Sequence, residues 1–228
     1  MSTPLEQALA DEVVTTSRVR VFALPHGAGR MALITIDNDR DHTRPSTFGP
    51  RGLASLDGAL DEIVAMPDIA AVAVTGKPFI FAVGADLSGV GHISDAQTAR
   101  SIAELGHNVF RRFGELDVPT FAFVNGAAMG GGLELALHCT YRTVSSAAAA
   151  LSLPECFLGL VPGWGGTWLL PNLIGPQNAM EVILTNSLSQ NKQMSPSDAK
   201  RLGIVDAVFD SADFLERSVD WAGRVITG

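Results

Sequence analysis

The sequence predicts an α/β fold, and three observations predict it. Short apolar runs suited to buried strands alternate along the chain with longer segments whose apolar residues recur at helical spacing. Turn residues cut the runs off, Gly84 after 79–83 and Asn125-Gly126 after 118–124. The length of 228 residues suits one domain with a sizeable core.

The elements follow in order. Residues 1–17 are polar and without periodicity, which predicts a loose, flexible N-terminal arm. Segments 18–24 and 31–37 read as a β-hairpin around Pro25-His26-Gly27-Ala28-Gly29, a loop long for a tight turn. Leu53, Leu56, Leu60, Ile63 and Val64 give 53–66 helical spacing, and the helix stops before Pro67. Segment 69–74 is a buried strand, and 79–83 runs apolar into Gly84-Ala85-Asp86. Helical spacing returns over 96–116 with Ile102, Leu105, Val109, Phe110 and Phe113. Phe121, Ala122, Phe123 and Val124, with Pro119 at the start, mark 118–124 as another buried strand. Gly130 to Gly132 then open a helix of good formers. Segments 178–184 and 196–202 read as helices, 186–195 as a polar, mobile loop near a pocket mouth, and 204–209 as a last strand. The chain ends in an amphipathic helix over 214–226.

Composition removes several function classes. A net charge of −8 and a pI near 5.0 argue against nucleic acid or an anionic membrane as the main partner. Residues 1–14 lack a basic start and an apolar stretch, so a secretory signal is not expected and the chain is read as cytoplasmic. The apolar stretch 147–173 is interrupted by Pro154, Glu155 and Pro162, which excludes a membrane span there. Cys139 and Cys156 are too isolated for a disulfide framework or a zinc site and are read as buried free thiols. His26, His42, His92, His107 and His138 show no metal spacing, so no metal is expected. Without a phosphate-loop lysine or a dinucleotide fingerprint, a dehydrogenase activity within these residues is not expected.

The chemistry-bearing residues lie on two glycine-rich turns, each followed by a carboxylate. Gly130 to Gly132 stand at a helix N-terminus, where backbone N–H groups lack partners and the dipole is positive. Glycine lets a ligand approach this backbone, so the Gly131 N–H is placed to stabilise an oxygen that gains charge, an effect worth roughly 3 kcal/mol per donor. The alternative for the same glycines is close helix packing. The turn Gly84-Ala85-Asp86 offers a second N–H, and a carbonyl oxygen turning into an oxyanion needs two. Glu134, three residues after Gly131, shares its helix face. Glu155 follows Pro154 and reads either as a second acid or as a cap of a turn. Apolar residues surround both, and two nearby carboxylates in such a pocket push one pKa upward.

Gly84-Ala85-Asp86-Leu87, Asn125-Gly126 followed by Gly130-Gly131-Gly132-Leu133-Glu134-Leu135-Ala136, and Leu153-Pro154-Glu155 followed by Gly159 to Thr167 occur in one order. In these motifs the chain resembles the crotonase (enoyl-CoA hydratase/isomerase) superfamily over 18–210, and most of all the hydratase part of multifunctional fatty-acid oxidation proteins. The resemblance narrows the fold to an α/β crotonase-like ββα spiral. It implies an oxyanion hole from the N–H groups of Ala85 and Gly131, catalytic acids Glu134 and Glu155, and substrate contacts from Ala82, Val83, Gly84, Asp86, Gly130, Pro154 and Trp164. The implied substrate is an acyl-CoA thioester, with CoA as part of the substrate and no separate cofactor. Two retained glutamates favour an enoyl-CoA hydratase; the alternatives are a Δ3-Δ2 enoyl-CoA isomerase and a weakly active acyl-CoA-binding relative.

The chain departs from the family pattern in four places. Ser88-Gly89-Val90-Gly91 stands where many relatives carry a lysine for a CoA phosphate, leaving Arg40, Arg44 and Lys77 as the nearest basic candidates. Segment 43–50 lacks the usual adenine loop, and Leu169 occupies a position often held by arginine. The C-terminal helical region is shortened, with 18–210 as the core and 211–228 as a single helix. A homotrimer or hexamer, and a fused or associated 3-hydroxyacyl-CoA dehydrogenase, are the partners the resemblance implies.

Overall fold

The computed structural model describes residues 12–41, 43–86 and 95–228. Strands β1 (Thr16–Ala23) and β2 (Arg30–Asp37) form the expected antiparallel hairpin, joined through a 3-10 turn at Pro25–Gly27. They are followed by α1 (Pro50–Val64), β3 (Ile69–Gly76), β4 (Ile80–Val83), α2 (Ala96–Glu115), β5 (Thr120–Val124), β6 (Ala127–Met129) and α3 (Gly131–His138). The remainder comprises β7 (Tyr141–Ser145), β8 (Leu151–Ser152), a 3-10 turn at Glu155–Leu158, α4 (Gly166–Ile174) and α5 (Pro176–Met180). Helix α5 runs into a π-helical turn, Glu181–Asn186, ahead of α6 (Pro196–Leu202), β9 (Ala207–Phe209) and α7 (Phe214–Thr227).

Successive segments feed two sheets in alternation. A six-stranded sheet has the order β1-β2-β3-β5-β7-β9, parallel from β2 onward, and a three-stranded parallel sheet has the order β4-β6-β8. Thus β3, β5 and β7 each enter the large sheet, and the next strand enters the small one. This stacks the chain ends after β4, β6 and β8 above one another, where the site is built.

Both faces of the large sheet are covered, which is why its strands read as unbroken apolar runs. Ala32, Ile34, Ile36, Val72, Val74, Ala122 and Val124 point to the main core with the helices α1 to α4. Their neighbours Met31, Leu33, Ala71, Ala73, Phe121 and Phe123 point the other way, to Phe214 and Ala222 of α7. The amphipathic C-terminal helix is therefore a lid on the second sheet face.

Four sequence expectations change. Residues 1–11 lie outside the described residues, but 12–17 belong to the fold: the Glu12 carboxylate accepts from Arg51 N (3.0 Å) and Gly52 N (2.8 Å) and so caps α1, and β1 begins at Thr16. Segment 186–195 is pinned rather than loose. Ser187 and Met194 are buried, Phe157 N donates to Ser187 Oγ at 2.7 Å, and Met194 N donates to Leu151 O at 2.8 Å. Of 204–209 only Ala207–Phe209 pairs as a strand, because Ile204 and Val205 turn into the core. Both cysteines are free; Cys139 is buried, whereas Cys156 is only half-buried.

Candidate active site

The first turn is shaped by a strand-like bridge. Beyond β4, Gly84 takes φ 65°, Phe48 N donates to Gly84 O at 3.0 Å, and Asp86 N donates to Phe48 O at 2.9 Å. Gly84 C=O and Ala85 N–H share one planar trans peptide, so they point in opposite directions. The Ala85 N–H therefore faces away from Phe48.

The second turn obeys the same rule. Gly130 takes φ 52° and its carbonyl accepts from Glu134 N at 2.9 Å, along the axis of α3. The Gly131 N–H, from the same peptide, points out of the helix N-terminus, where no intrahelical partner exists. A β-carbon on Gly84 would lie 3.8 Å from Gly131 N, and one on Gly131 would lie 3.6 Å from Gly84 Cα. The two turns thus touch.

Close packing requires glycine at each of the three positions. A β-carbon on Gly132 would stand 1.9 Å from Ala82 O, so Gly132 serves close packing of α3 on β4. At Gly131 it would strike the Trp164 ring at 2.3 Å, and at Gly130 it would come within 2.7 Å of Glu155 Oε1.

Glu155 reaches this place through the small sheet. Met129 pairs with Ser152 across β6 and β8, and Gly130 N donates to Ser152 O at 2.9 Å, which carries Leu153-Pro154-Glu155 past the second turn. Its Oε2 is buried and has no hydrogen-bond partner among the described residues. Burial drives the Glu155 pKa up to about 7, opposed by its own backbone N–H.

Glu134 is 2 % exposed, and its Oε1 accepts from Trp164 N at 2.8 Å and Gly166 N at 2.9 Å. Burial is the main cause raising its pKa to about 7; the Glu155 charge adds to the rise, and the two N–H donors oppose it. Two buried carboxyls with pKa values near neutrality thus lie by the second turn, Glu155 against Gly130 and Glu134 in the helix that Gly131 opens, near enough for the Glu155 charge to act on Glu134. That arrangement can hold a developing oxyanion while one carboxylate takes a proton and the other gives one.

The remaining predicted residues divide. Ala82 is buried, and Val83 is held by its N–H to Ser46 O at 2.8 Å. Pro154 starts the turn that carries Glu155. Trp164 is 6 % exposed with its ring edge-on to Phe110, and its backbone N–H faces Glu134. Lys77 is corrected as a phosphate candidate. It is 3 % exposed, and its Nζ donates to Asn38 Oδ1 (2.6 Å) and to the carbonyls of Arg40 (3.0 Å), Asp41 (2.9 Å) and Arg44 (2.6 Å). Arg40 and Arg44 lie exposed on that same loop. Leu87, the lysine-free segment 88–91, His42 and His92 fall outside the described residues.

A cavity of about 320 Å³ lies beside the site, lined by apolar residues that include Val161, Pro171, Ala179 and Ile183, and by Cys156, the neighbour of Glu155. Among the described residues no His, Cys, Asp and Glu cluster is fit to hold a metal, and no helix is long and apolar enough to cross a membrane.

Sequence reasoning missed three supporting residues. Phe48 orients the first turn. Asn125, read as a strand breaker and as part of the family motif but with no bonding role, accepts from Gly76 N at 3.0 Å and donates to Lys77 O at 2.7 Å. His138 meets Trp164 O through Nε2 at 2.7 Å.

Comparison with known proteins gives a consistent result. The family model for enoyl-CoA hydratase/isomerase matches residues 29–228. The fatty acid oxidation complex subunit alpha of Shewanella amazonensis is 36% identical over 207 residues, which is 89% of this chain and 28% of that protein. Its counterpart from Aliivibrio fischeri is 38% identical over 189 residues, covering 82% of this chain and 26% of that protein. The chain thus spans little more than a quarter of these relatives. Among solved structures, Pseudomonas aeruginosa DspI is similar with a TM-score of 0.78 and 32% identity, over 93% of this chain and 80% of that one. Enoyl-CoA hydratase from Bacillus anthracis also has a TM-score of 0.78, with 27% identity over 93% of this chain and 76% of that one.

Proposed function

The chain belongs to the enoyl-CoA hydratase/isomerase family, and from that premise we propose that it adds water across the 2,3 double bond of an enoyl-CoA thioester. The observation that carries this reading is a pair of buried glutamates, Glu155 against Gly130 and Glu134 in the helix that Gly131 opens, both with pKa values raised to about 7. The thioester oxygen sits between the N–H groups of Ala85 and Gly131. Glu134 takes a proton from water as the oxygen attacks C3, and electron density moves through C2 onto the thioester oxygen. The enolate then collapses back as C2 takes a proton from Glu155, giving the 3-hydroxyacyl thioester. No electrons leave or enter, so the reaction requires no redox cofactor. Ala82, Val83, Gly84, Asp86, Gly130 and Pro154 form the walls around the thioester.

The fatty acid oxidation complex relatives support fatty-acid breakdown as the setting, with a 3-hydroxyacyl-CoA dehydrogenase fused or associated to consume the product. Isomerisation within the family needs only one proton-shuttling carboxylate, and the fixed, doubly bonded Glu134 favours hydration over it. The test is product analysis by mass spectrometry after incubating crotonyl-CoA in water labelled with heavy oxygen. Hydration incorporates one labelled oxygen into the product. A 3-enoyl-CoA substrate converted without labelled oxygen, together with unchanged crotonyl-CoA, would make the protein an isomerase.

A further inference from the structure

We propose that His138 is a positioning residue for Glu134, acting through the backbone of Trp164, Gly165 and Gly166; this rests on the reading of Glu134 as the group that activates water. Glu134 and His138 are four residues apart in α3 and so lie on one helix face. His138 Nε2 meets Trp164 O at 2.7 Å, while Trp164 N and Gly166 N meet Glu134 Oε1 at 2.8 and 2.9 Å. Two side chains of one helix therefore clamp the same short segment at three points.

A carbonyl oxygen only accepts, so Nε2 carries the proton and the contact is a donation from His138. The packing leaves little slack. Gly165 takes φ 120°, and a β-carbon there would lie 2.6 Å from His138 Nε2; on Gly166 it would lie 3.1 Å from Glu134 Oε1. His138 is 9 % exposed, with His107 edge-on at 5.9 Å and Phe110 at 6.3 Å.

The titratable groups that bear on the pair are Glu155 on Glu134, and His107 and Glu115 on His138. Burial is the main cause lowering the His138 pKa; the Trp164 carbonyl opposes that, His107 reinforces it and Glu115 opposes it, a balance that favours the neutral ring. With His138 gripping the segment, two N–H groups stay aimed at the Glu134 carboxylate and favour its ionised form. Release of the grip raises the Glu134 pKa and frees its carboxylate to turn away from the attacking water.

Carboxyl-carbon NMR titration of Glu134 tests this without needing turnover, in the full chain and in its His138→Gln and His138→Met variants. His138→Met should raise the Glu134 midpoint by about one pH unit. His138→Gln, which keeps an N–H donor in place of Nε2, should move it less than half as far. In the crotonyl-CoA assay His138→Met should lower kcat roughly 10-fold with KM nearly unchanged, and shift the acid limb of the pH profile upward. Equal Glu134 midpoints in wild type and His138→Met, or equal displacement by both variants, would overturn the proposal. Should His138→Met not fold, nitrogen NMR of wild-type His138 decides: the Nε2–H tautomer supports it and the Nδ1–H tautomer overturns it. Absence of turnover in the wild type would remove the hydratase reading, while the Glu134 titration still judges His138.

Discussion

Glu155 Oε1 lies 2.7 Å from where a side chain on Gly130 would begin. The Glu155 carboxylate fills the space that a side chain on Gly130 would need, so the second turn and Glu155 pack directly together although α3, β7 and β8 separate them in sequence.

Gly130→Ala is therefore expected to displace Glu155. The backbone at φ 52° and ψ −128° adds strain of roughly 1–3 kcal/mol for any residue with a side chain. Turnover of crotonyl-CoA should fall roughly 100-fold or more with the far-ultraviolet circular dichroism retained. A variant with near wild-type kcat would show that Glu155 is not held where the chemistry needs it.

Glu134→Gln and Glu155→Gln should each lower kcat by a factor of roughly 100 or more, with CoA-ester binding nearly intact, as loss of a general acid or base does. Calorimetric binding of an unreactive acyl-CoA supplies the second half of the comparison. If only the Glu155 variant loses activity, proton shuttling by one group replaces hydration.

The pH profile of kcat/KM should be bell-shaped with its maximum near pH 7, because the proposed hydration needs one carboxyl ionised and the other protonated, and burial places both near 7. The two limbs report the pair rather than either residue.

The same burial has a stability consequence with a definite sign. Glu134 titrates near 4.5 when unfolded and about 7 when folded, so between these values the folded state binds more protons and stability falls as pH rises. The loss is on the order of 3 kcal/mol for Glu134 and is complete above the folded pKa. Denaturant unfolding from pH 4.5 to 8 should show this slope in the wild type and a shallower one in Glu134→Gln. Equal slopes would contradict a raised Glu134 pKa.

Much of this was legible in the sequence. The strands over 69–74 and 118–124 were readable because both faces of the large sheet are buried, which leaves continuous apolar runs. Strands β6 and β8 were not, since three and two residues are too short to show a period. Strand β7 was hidden by its polar residues: buried Arg142 donates to Cys139 O and to Ile204 O, and Thr143 bonds Ser218. The two glycine turns and both glutamates were visible as local motifs. Lys77 was not, because a lysine is exposed by default, and here four oxygen atoms from the 38–44 loop gather around it through the tertiary fold.

Lys77 accordingly yields its own prediction. Lys77→Met should lower the melting temperature, since hydrogen bonds to a charged group contribute roughly 1.5–3 kcal/mol. It should affect crotonyl-CoA and a crotonyl thioester of pantetheine alike, because the ammonium holds the loop and not a phosphate. A KM increase confined to the CoA ester would restore Lys77 as a phosphate contact.

The measurement that bears most directly on the two-carboxylate account is the loss of enoyl-thioester absorbance when the purified chain meets crotonyl-CoA, with the Glu134→Gln, Glu155→Gln double variant as the blank. Turnover is expected in the wild type and none in the double variant. Bound crotonyl-CoA without turnover, or turnover that survives in the double variant, would contradict it.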